Sequence, residues 1–495
     1  MVRSLFEWDY CMYLGIDLGT SGVKLLLVDS DQQIVASASV ALSVSNPDHG
    51  WSEQAPADWI SATENAVALL LKSNAKEVAA IRGIGLSGHM HGATLLDASD
   101  QVLRPCILWN DVRSHEEASA MNQNADFPAL SGNIVFPGFT APKLSWCKNH
   151  EPEIFDQVRK VLLPKDYLRL WLTGEHISEM SDASGTAWLD VGKRQWSDSL
   201  LQATGLSQDQ MPSLVEGTEP GGQLRVDLAT RWGISGSVVV AGGAGDNAAS
   251  ACGLGTVEPG SAFASLGTSG VLFVSNESFK PNTESAVHAF CHALPGRWHQ
   301  MGVILSATDS LNWFSSVVGE SAPELTASLG NELKTPVGET FLPYLSGERT
   351  PHNDAHIRGV FAGLTTSTSR QNLTQAVLDG VSFAFHDNLT ALQMAGTEID
   401  RVTAVGGGSQ SEYWLKSLAT VIDRPVDVLQ DGEFGAAFGA ARLGLIAAEK
   451  EDPVAICKSA PVARTIEPVR NLVDRYKDAY QCYKNLYPAL QALSV

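Results

Sequence analysis

The hexapeptide Leu-Gly-Thr-Ser-Gly-Val stands at residues 18–23 and again at 266–271. Each copy sits between apolar runs of β character, with "MYLGI" and "KLLLVD" around the first and "SAFAS" and "LFVS" around the second. A glycine turn between two such runs reads as strand–turn–strand, and its recurrence in one chain points to duplication. The first copy is followed by an alternating run, "IVASASVAL". Next comes a stretch with Pro56 near its start and Trp59, Ile60, Thr63, Ala66, Val67, Leu70 and Leu71 at helical spacing, then a buried strand in "AAIRGIGLSG". The second copy is followed by the helical "NLTQAVLDGVSFAFHDNLTALQ" and by "RVTAVGGG", a strand running into glycines. The expected fold is therefore α/β: two duplicated domains, 12–255 and 256–485, each with the same hairpin turn, facing each other across a central cleft. The boundary is expected near Gly255–Pro259, and residues 1–11 read as an N-terminal extension.

The bulk composition narrows the function. A chain of 495 residues with 44% hydrophobic and 18% charged residues can build more than one packed core. Its formal charge of −21 argues against a nucleic-acid partner. No apolar run approaches the roughly 18 residues that span a bilayer, so no membrane partner is expected. The start "MVRSLFEWDYC" has no apolar core and carries Glu7 and Asp9, so no secretory leader is expected. Seven cysteines without a CxxC spacing fit reduced thiols and a cytoplasmic location. In so acidic a chain, a polyphosphate ligand needs a locally positive site made from backbone N–H groups, a few cations and a metal ion.

The repeated turns suit that task. Gly19 and Gly267 let the backbone approach a ligand, while Thr20, Ser21, Thr268 and Ser269 add hydroxyl donors. Lys24 is either a further positive charge or a solvated face. Asp17 precedes the first turn and Ser265 the second. That asymmetry fits one carboxylate for Mg²⁺, which takes one or two protein carboxylates plus phosphates, opposite a wall that only donates.

Elsewhere, "VVVAGGAGDNAASACG" runs a strand into glycines and then into Asp246 at the start of a small-residue helix. Asp246 is expected to cap that helix, whose N-terminus would favour the anion and give a carboxylate of low pKa. "GLSGHMHGATLLD" places Met90 and His91 at a strand exit, and "RPCILWNDVRS" places Trp109 beside Asn110, Asp111 and Arg113. An indole offers a flat wall to sugar C–H groups, and amide and carboxylate groups take hydroxyls. "GGGSQSEYW" combines close backbone approach at Gly407 and Gly408 with a helix starting near Ser409 or Ser411. In "FLPYLSGERTPH", Glu348 and Arg349 read as a pair, and the small residues of "GEFGAAFGAARLG" read as close helix packing. "HGWSEQAPADW" and "LLPKDYLRLWLTGE" suggest no chemistry from residue type alone.

"GIDLGTSGVK", "SLGTSGV" and "AVGGGSQSEYW" resemble the first phosphate loop, second phosphate loop and adenosine motif of the actin–hexokinase–Hsp70 superfamily, which has a ribonuclease H-like fold. Within it, "GFTAPKLSWCKNH" and "GVFAGLTTSTSRQNLTQAVLD" resemble the two signatures of the FGGY sugar kinases, the first departing at Cys147. The resemblance implies ATP and Mg²⁺, with Asp246 as catalytic base and Asn247 beside the sugar. It implies adenosine at Gly407, Gly408 and Ser411. "HMHG" is similar to a segment of the family's xylulokinase branch, which puts Met90 and His91 on the sugar and implies D-xylulose as acceptor. His89 and Val112 depart from that branch. A homodimer is also implied. Two alternatives stay open: an FGGY kinase for ribulose, gluconate, glycerol or a deoxyketose, and an actin- or chaperone-like ATPase with no metabolite acceptor.

Overall fold

The computed structural model describes residues 11–430 and 435–492. Residues 1–10 of the expected extension, and Gly432–Phe434 of the small-residue stretch, lie outside the described residues.

Two mixed sheets dominate. The first is built from β1 (Met12–Gly19), β2 (Gly22–Asp29) and β3 (Ile34–Ala41), helix α1 (Pro56–Ala79), and β4 (Ile81–Gly88). Helix α2 (Pro164–Thr173), β5 (Pro220–Gln223), β6 (Val239–Ala241), β7 (Ala244–Gly245) and helix α3 (Asp246–Leu254) follow later in the chain. The strand order is β5–β6–β4–β1–β2–β3, with β7 also on β4. β1 and β2 are antiparallel, while β4 runs parallel to β1 and to β6.

The second sheet repeats this plan with β8 (Ala262–Leu266), β9 (Gly270–Asn276), β10 (His288–Cys291) and β11 (Trp298–Ile304). Then come helices α4 (Thr308–Val318) and α5 (Arg370–Met394), β12 (Val402–Val405), α6 (Glu412–Ile422), β13 (Val426–Leu429), α7 (Ala436–Glu449), β14 (Val462–Ile466) and α8 (Val473–Ala492). Its order is β10–β11–β9–β8–β12–β13–β14, with β12 parallel to β8 and β13. In both sheets an antiparallel hairpin is extended by parallel strands on the side of its first strand, as duplication requires.

The helices follow their sequence cues. α1 opens with Pro56 in its first turn and buries Trp59, Thr63, Ala66, Val67 and Leu70 against the first sheet, with Ile60 and Leu71 half-buried. α7 is small-sided because it lies almost on the backbone of that same sheet. A Cβ at Gly85 would come 1.7 Å from the Ala440 carbonyl oxygen, and one at Gly15 would come 1.9 Å from that of Ala437. On its other side Gly439 meets α3 at the Ala249 carbonyl. The small residues of α7 are therefore packing residues, and they tie a late segment of the chain to the first sheet.

The two hexapeptides do not form the same turn. In the first copy Gly19 pairs with Gly22, leaving a two-residue bend of Thr20 and Ser21. In the second, Leu266 pairs with Gly270, so the bend is Gly267–Ser269 and the register differs by one residue. The cause lies outside the repeat. The carbonyls of Thr268 and Gly267 accept the N–H groups of Ala307 and Thr308, both at 2.8 Å, at the start of α4. The first turn has different supports: the Gln54 amide donates to the Thr20 carbonyl at 2.8 Å, and the Leu42 N–H to that of Ser21 at 2.9 Å.

Candidate active site

The strand register brings the acidic residues together. Asp17 of β1 lies level with Ser87 of β4, and β7 pairs Ala244 with Ser87 and Gly245 with Gly88 on the other side. Asp17 and the start of α3 therefore stand two strands apart, about 10 Å, at one end of these central strands. Asp246 is the first residue of α3, with Gly245 in the capping position and no side-chain cap bond. The expected cap is thus absent: the carboxylate turns to its neighbour, accepting from the Asn247 N–H at 2.7 Å and the Asn247 amide at 3.0 Å.

Nor is its pKa low. Burial, and then the charge of Asp17, push it up to about 6, and the two bonds from Asn247 only partly offset this. Desolvation outweighs the helix terminus. Asp17 is raised for the same first reason, with Lys24, its cross-strand neighbour, acting against the rise. Two deep carboxylates that disfavour each other's charge are a fitting environment for Mg²⁺, which would relieve both. Among the described residues no cluster of three or more His, Cys, Asp or Glu is placed to hold a metal ion.

Met90 and His91 stand just past the end of β4. A Cβ at Gly245 would lie 3.0 Å from the Met90 sulfur, so the thioether packs directly on the residue before Asp246. His91 adopts φ +72, an uncommon conformation for a non-glycine residue. It is held there by Lys143 Nζ and Thr140 Oγ1, which donate to its carbonyl at 2.8 and 3.2 Å. The imidazole stacks on Phe139 at 4.6 Å, and its Nδ1 lies 2.6 Å from the Gly185 carbonyl. A carbonyl only accepts, so the proton is on Nδ1, and burial, pushing the pKa down to about 3, keeps the ring neutral. Nε2 is left as an acceptor, suited to a hydroxyl. His89, by contrast, is buried 5.8 Å from Trp59 and belongs to the core.

Trp109 is 49% exposed, and its Nε1 donates to Thr20 Oγ1 at 3.0 Å. Asn110 beside it is exposed. Asp111 is not available to a hydroxyl. Its oxygens accept from the Ser52 N–H (2.6 Å), the Arg113 N–H (2.9 Å) and the Arg113 guanidinium (2.9 and 2.7 Å). Glu53 spans Arg104 and Arg113, which gives the "WSEQ" motif a bracing role. Glu348 and Arg349 do not pair through their side chains. Glu348 Oε1 accepts the N–H groups of Leu305 and Arg349, while the Arg349 guanidinium lies 3.7 Å over Phe136 and 3.3 Å from His288 Nε2.

A cavity of about 680 Å³ opens beside these groups, lined by Lys24, Asn247 and Ser250 on one side and Ser265, Gly406 and Ser409 on the other. Residues flanking both repeated turns border it, while Gly19, Thr20, Ser21, Gly267, Thr268 and Ser269 themselves lie just outside that lining. Within the glycine run, Gly406 and Gly408 are packed on the second hairpin, while Gly407 faces open space. Gly406 has φ +87 and would put a Cβ 2.8 Å from the Leu266 carbonyl, whereas a Cβ at Gly407 meets nothing within 4 Å. Ser411 caps α6 through the Trp414 N–H, as the pattern predicts. Gly406, Lys143 and Gly185 escaped the sequence reading, because their roles depend on partners distant along the chain.

The profile of the FGGY family of carbohydrate kinases matches this chain twice, its N-terminal domain over residues 12–253 and its C-terminal domain over 262–448. The chain belongs to that family. It is 47% identical over 485 residues to the xylulose kinase of Escherichia coli (strain K12), covering 97% of this chain and 100% of that one. It is 45% identical over the same length to the xylulose kinase of Klebsiella pneumoniae. A crystal structure of a protein from Brucella ovis, titled a xyloylose kinase, superposes with a TM-score of 0.97 at 62% identity, covering 97% of this chain and all of that one. The duplicated α/β fold expected from the repeat, ribonuclease H-like as the resemblance implied, is the fold of this FGGY kinase. It is a phosphotransferase that uses ATP and an alcohol group of a sugar. Among the described residues, no helix is long and apolar enough to cross a membrane.

Proposed function

We propose that this chain transfers the γ-phosphoryl group of ATP to the terminal hydroxyl of D-xylulose, giving D-xylulose 5-phosphate. One observation carries the choice of sugar: 47% identity to a xylulose kinase over 97% of the chain.

In this reading the sugar lies against Met90, His91, Trp109, Asn110 and Asn247. His91 Nε2 accepts a hydroxyl, and the indole covers C–H faces. Asp246 accepts the proton of the terminal hydroxyl as its oxygen bonds to the γ-phosphorus. The bond to the β,γ-bridging oxygen breaks, and ADP leaves with the electron pair. Gly19, Thr20, Ser21, Gly267, Thr268 and Ser269 donate to the phosphates, and Gly407, Gly408 and Ser411 hold the adenosine. Asp17 would hold Mg²⁺, which when bound neutralises phosphate charge. Approach of the lobes over the reactants excludes water, which would otherwise take the phosphoryl group.

The reading also includes the division into units of 12–255 and 256–485, a homodimer, and a cytoplasmic location. The last is supported by Cys106, Cys147, Cys252, Cys291, Cys457 and Cys482, which stand as thiols. A coupled assay of ADP release over D-xylulose, ribulose, gluconate, glycerol and a deoxyketose tests it. The expected result is a kcat/KM highest for D-xylulose. A higher value for another acceptor, or ATP turnover indifferent to sugar, overturns it.

A further inference from the structure

The segment "LLPKDYLRLWLTGE", silent in the sequence, gives Lys165, Asp166 and Arg169 to a buried ionic cluster that Glu179 and Asp182 complete. Lys165, Asp166, Arg169, Glu179 and Asp182 are all 0% exposed. Lys165 Nζ lies 2.7 Å from Asp166, 3.0 Å from Asp182 and 3.3 Å from Glu179. Three carboxylates thus face two cations. Burial raises the Asp182 pKa well above the usual carboxylate range, against the pull of Lys165.

The cluster reaches the catalytic turn by two routes. Arg169 donates through both terminal nitrogens to the carbonyls of Ala241 and Gly242, where the chain leaves β6. At the other end, Ser181 Oγ accepts the Gly245 N–H at 3.0 Å, one residue before Asp246. The same hydroxyl lies 3.0 Å from Glu179 Oε1, and Glu179 Oε2 accepts the Ser181 N–H at 2.7 Å. A carboxylate takes the only hydroxyl proton, so the serine lone pair is left facing Gly245. Four residues on, the Gly185 carbonyl fixes His91.

We propose that Ser181, aimed by Glu179, is a positioning residue for phosphoryl transfer: it sets where Asp246 stands relative to the acceptor hydroxyl. The inference rests on Asp246 being the base. Ser181 is fully buried behind Gly245, so its loss should leave binding intact and misplace the acid, an error to which transfer rates are steeply sensitive.

The experiment measures kcat, both KM values and the thermal midpoint of Ser181→Ala, Ser181→Thr and Asp246→Asn. Ser181→Ala is expected to lose about 10- to 100-fold in kcat with KM values within about twofold. Ser181→Thr keeps the hydroxyl but forces a methyl into a filled site, so it is the less stable of the two while holding kcat within about threefold of the parent. A Ser181→Ala enzyme at the parent rate, or a Thr variant whose kcat falls with its stability, overturns the inference. If either happens while Asp246→Asn is inactive, the base assignment stands. An active Asp246→Asn removes that assignment and this inference together.

Discussion

The indole N–H of Trp109 donates to the hydroxyl of Thr20 at 3.0 Å, joining the wall assigned to the sugar to the turn assigned to the phosphates. Trp109→Phe keeps a flat apolar face and removes this one bond. It is expected to lower kcat/KM by about 3- to 10-fold, the worth of one hydrogen bond, whereas Trp109→Ala loses the wall as well and falls further. Steady-state kinetics on both variants check this, and a Phe enzyme equal to the parent would show the bond to be idle.

Asp246 and Asp17 raise each other's cost of ionisation, which gives the pH profile a sign. The base works as the anion, so kcat/KM should fall as pH drops through about 6, the value to which burial and Asp17 push Asp246. Asp17→Asn removes one of the two causes. Its residual activity should therefore show an acid limb moved to lower pH, on top of a reduced rate from the lost metal ligand. A limb that stays in place would mean that the two carboxylates do not sense each other.

The contact between α7 and the first sheet leaves no space for a methyl group. Gly85→Ala would drive its Cβ to 1.7 Å from a helix carbonyl that has no flexible end to yield. A loss of about 3 kcal/mol or more is expected in denaturant titration. Gly338→Ala, where a Cβ meets nothing within 4 Å, is the matched control and should stay within about 0.5 kcal/mol.

Glu348 gives a stability test independent of catalysis. Burial pushes its pKa up to about 8, against the N–H bonds from Arg349 and Leu305. The folded chain therefore holds a proton that the unfolded chain has released, and stability should decline as pH rises from about 4.3 toward the folded value. Glu348→Gln cannot titrate. Its thermal midpoint should vary less between about pH 5 and pH 8 than that of the parent. Parallel curves would count against a proton on Glu348.

Local pattern carried the reading where structure is local. The hairpins, α1, the strand into the glycines at 406–408 and the Ser411 cap all follow from turn chemistry and periodicity. Reading failed where distant partners decide. Identical hexapeptides took different registers because only the second is held by the start of α4. Asp246 looked like a capping acid of low pKa, but burial and Asp17 set its titration. Asp111 looked like a sugar ligand, yet Arg113 and Ser52 occupy it. The Lys165 cluster was opaque because residue type alone does not show that these charges are fully buried.

Helix α7 also bears on how the polypeptide is made. The strip of Gly15, Gly83 and Gly85 on the first sheet is covered by residues 437–448. A nascent chain that has emerged only as far as α3 therefore carries an open groove, and its first lobe stays unsealed until residues 437–448 have followed. The second lobe is made in the interval, so maturation of the two halves is bound to a single late event at the ribosome exit.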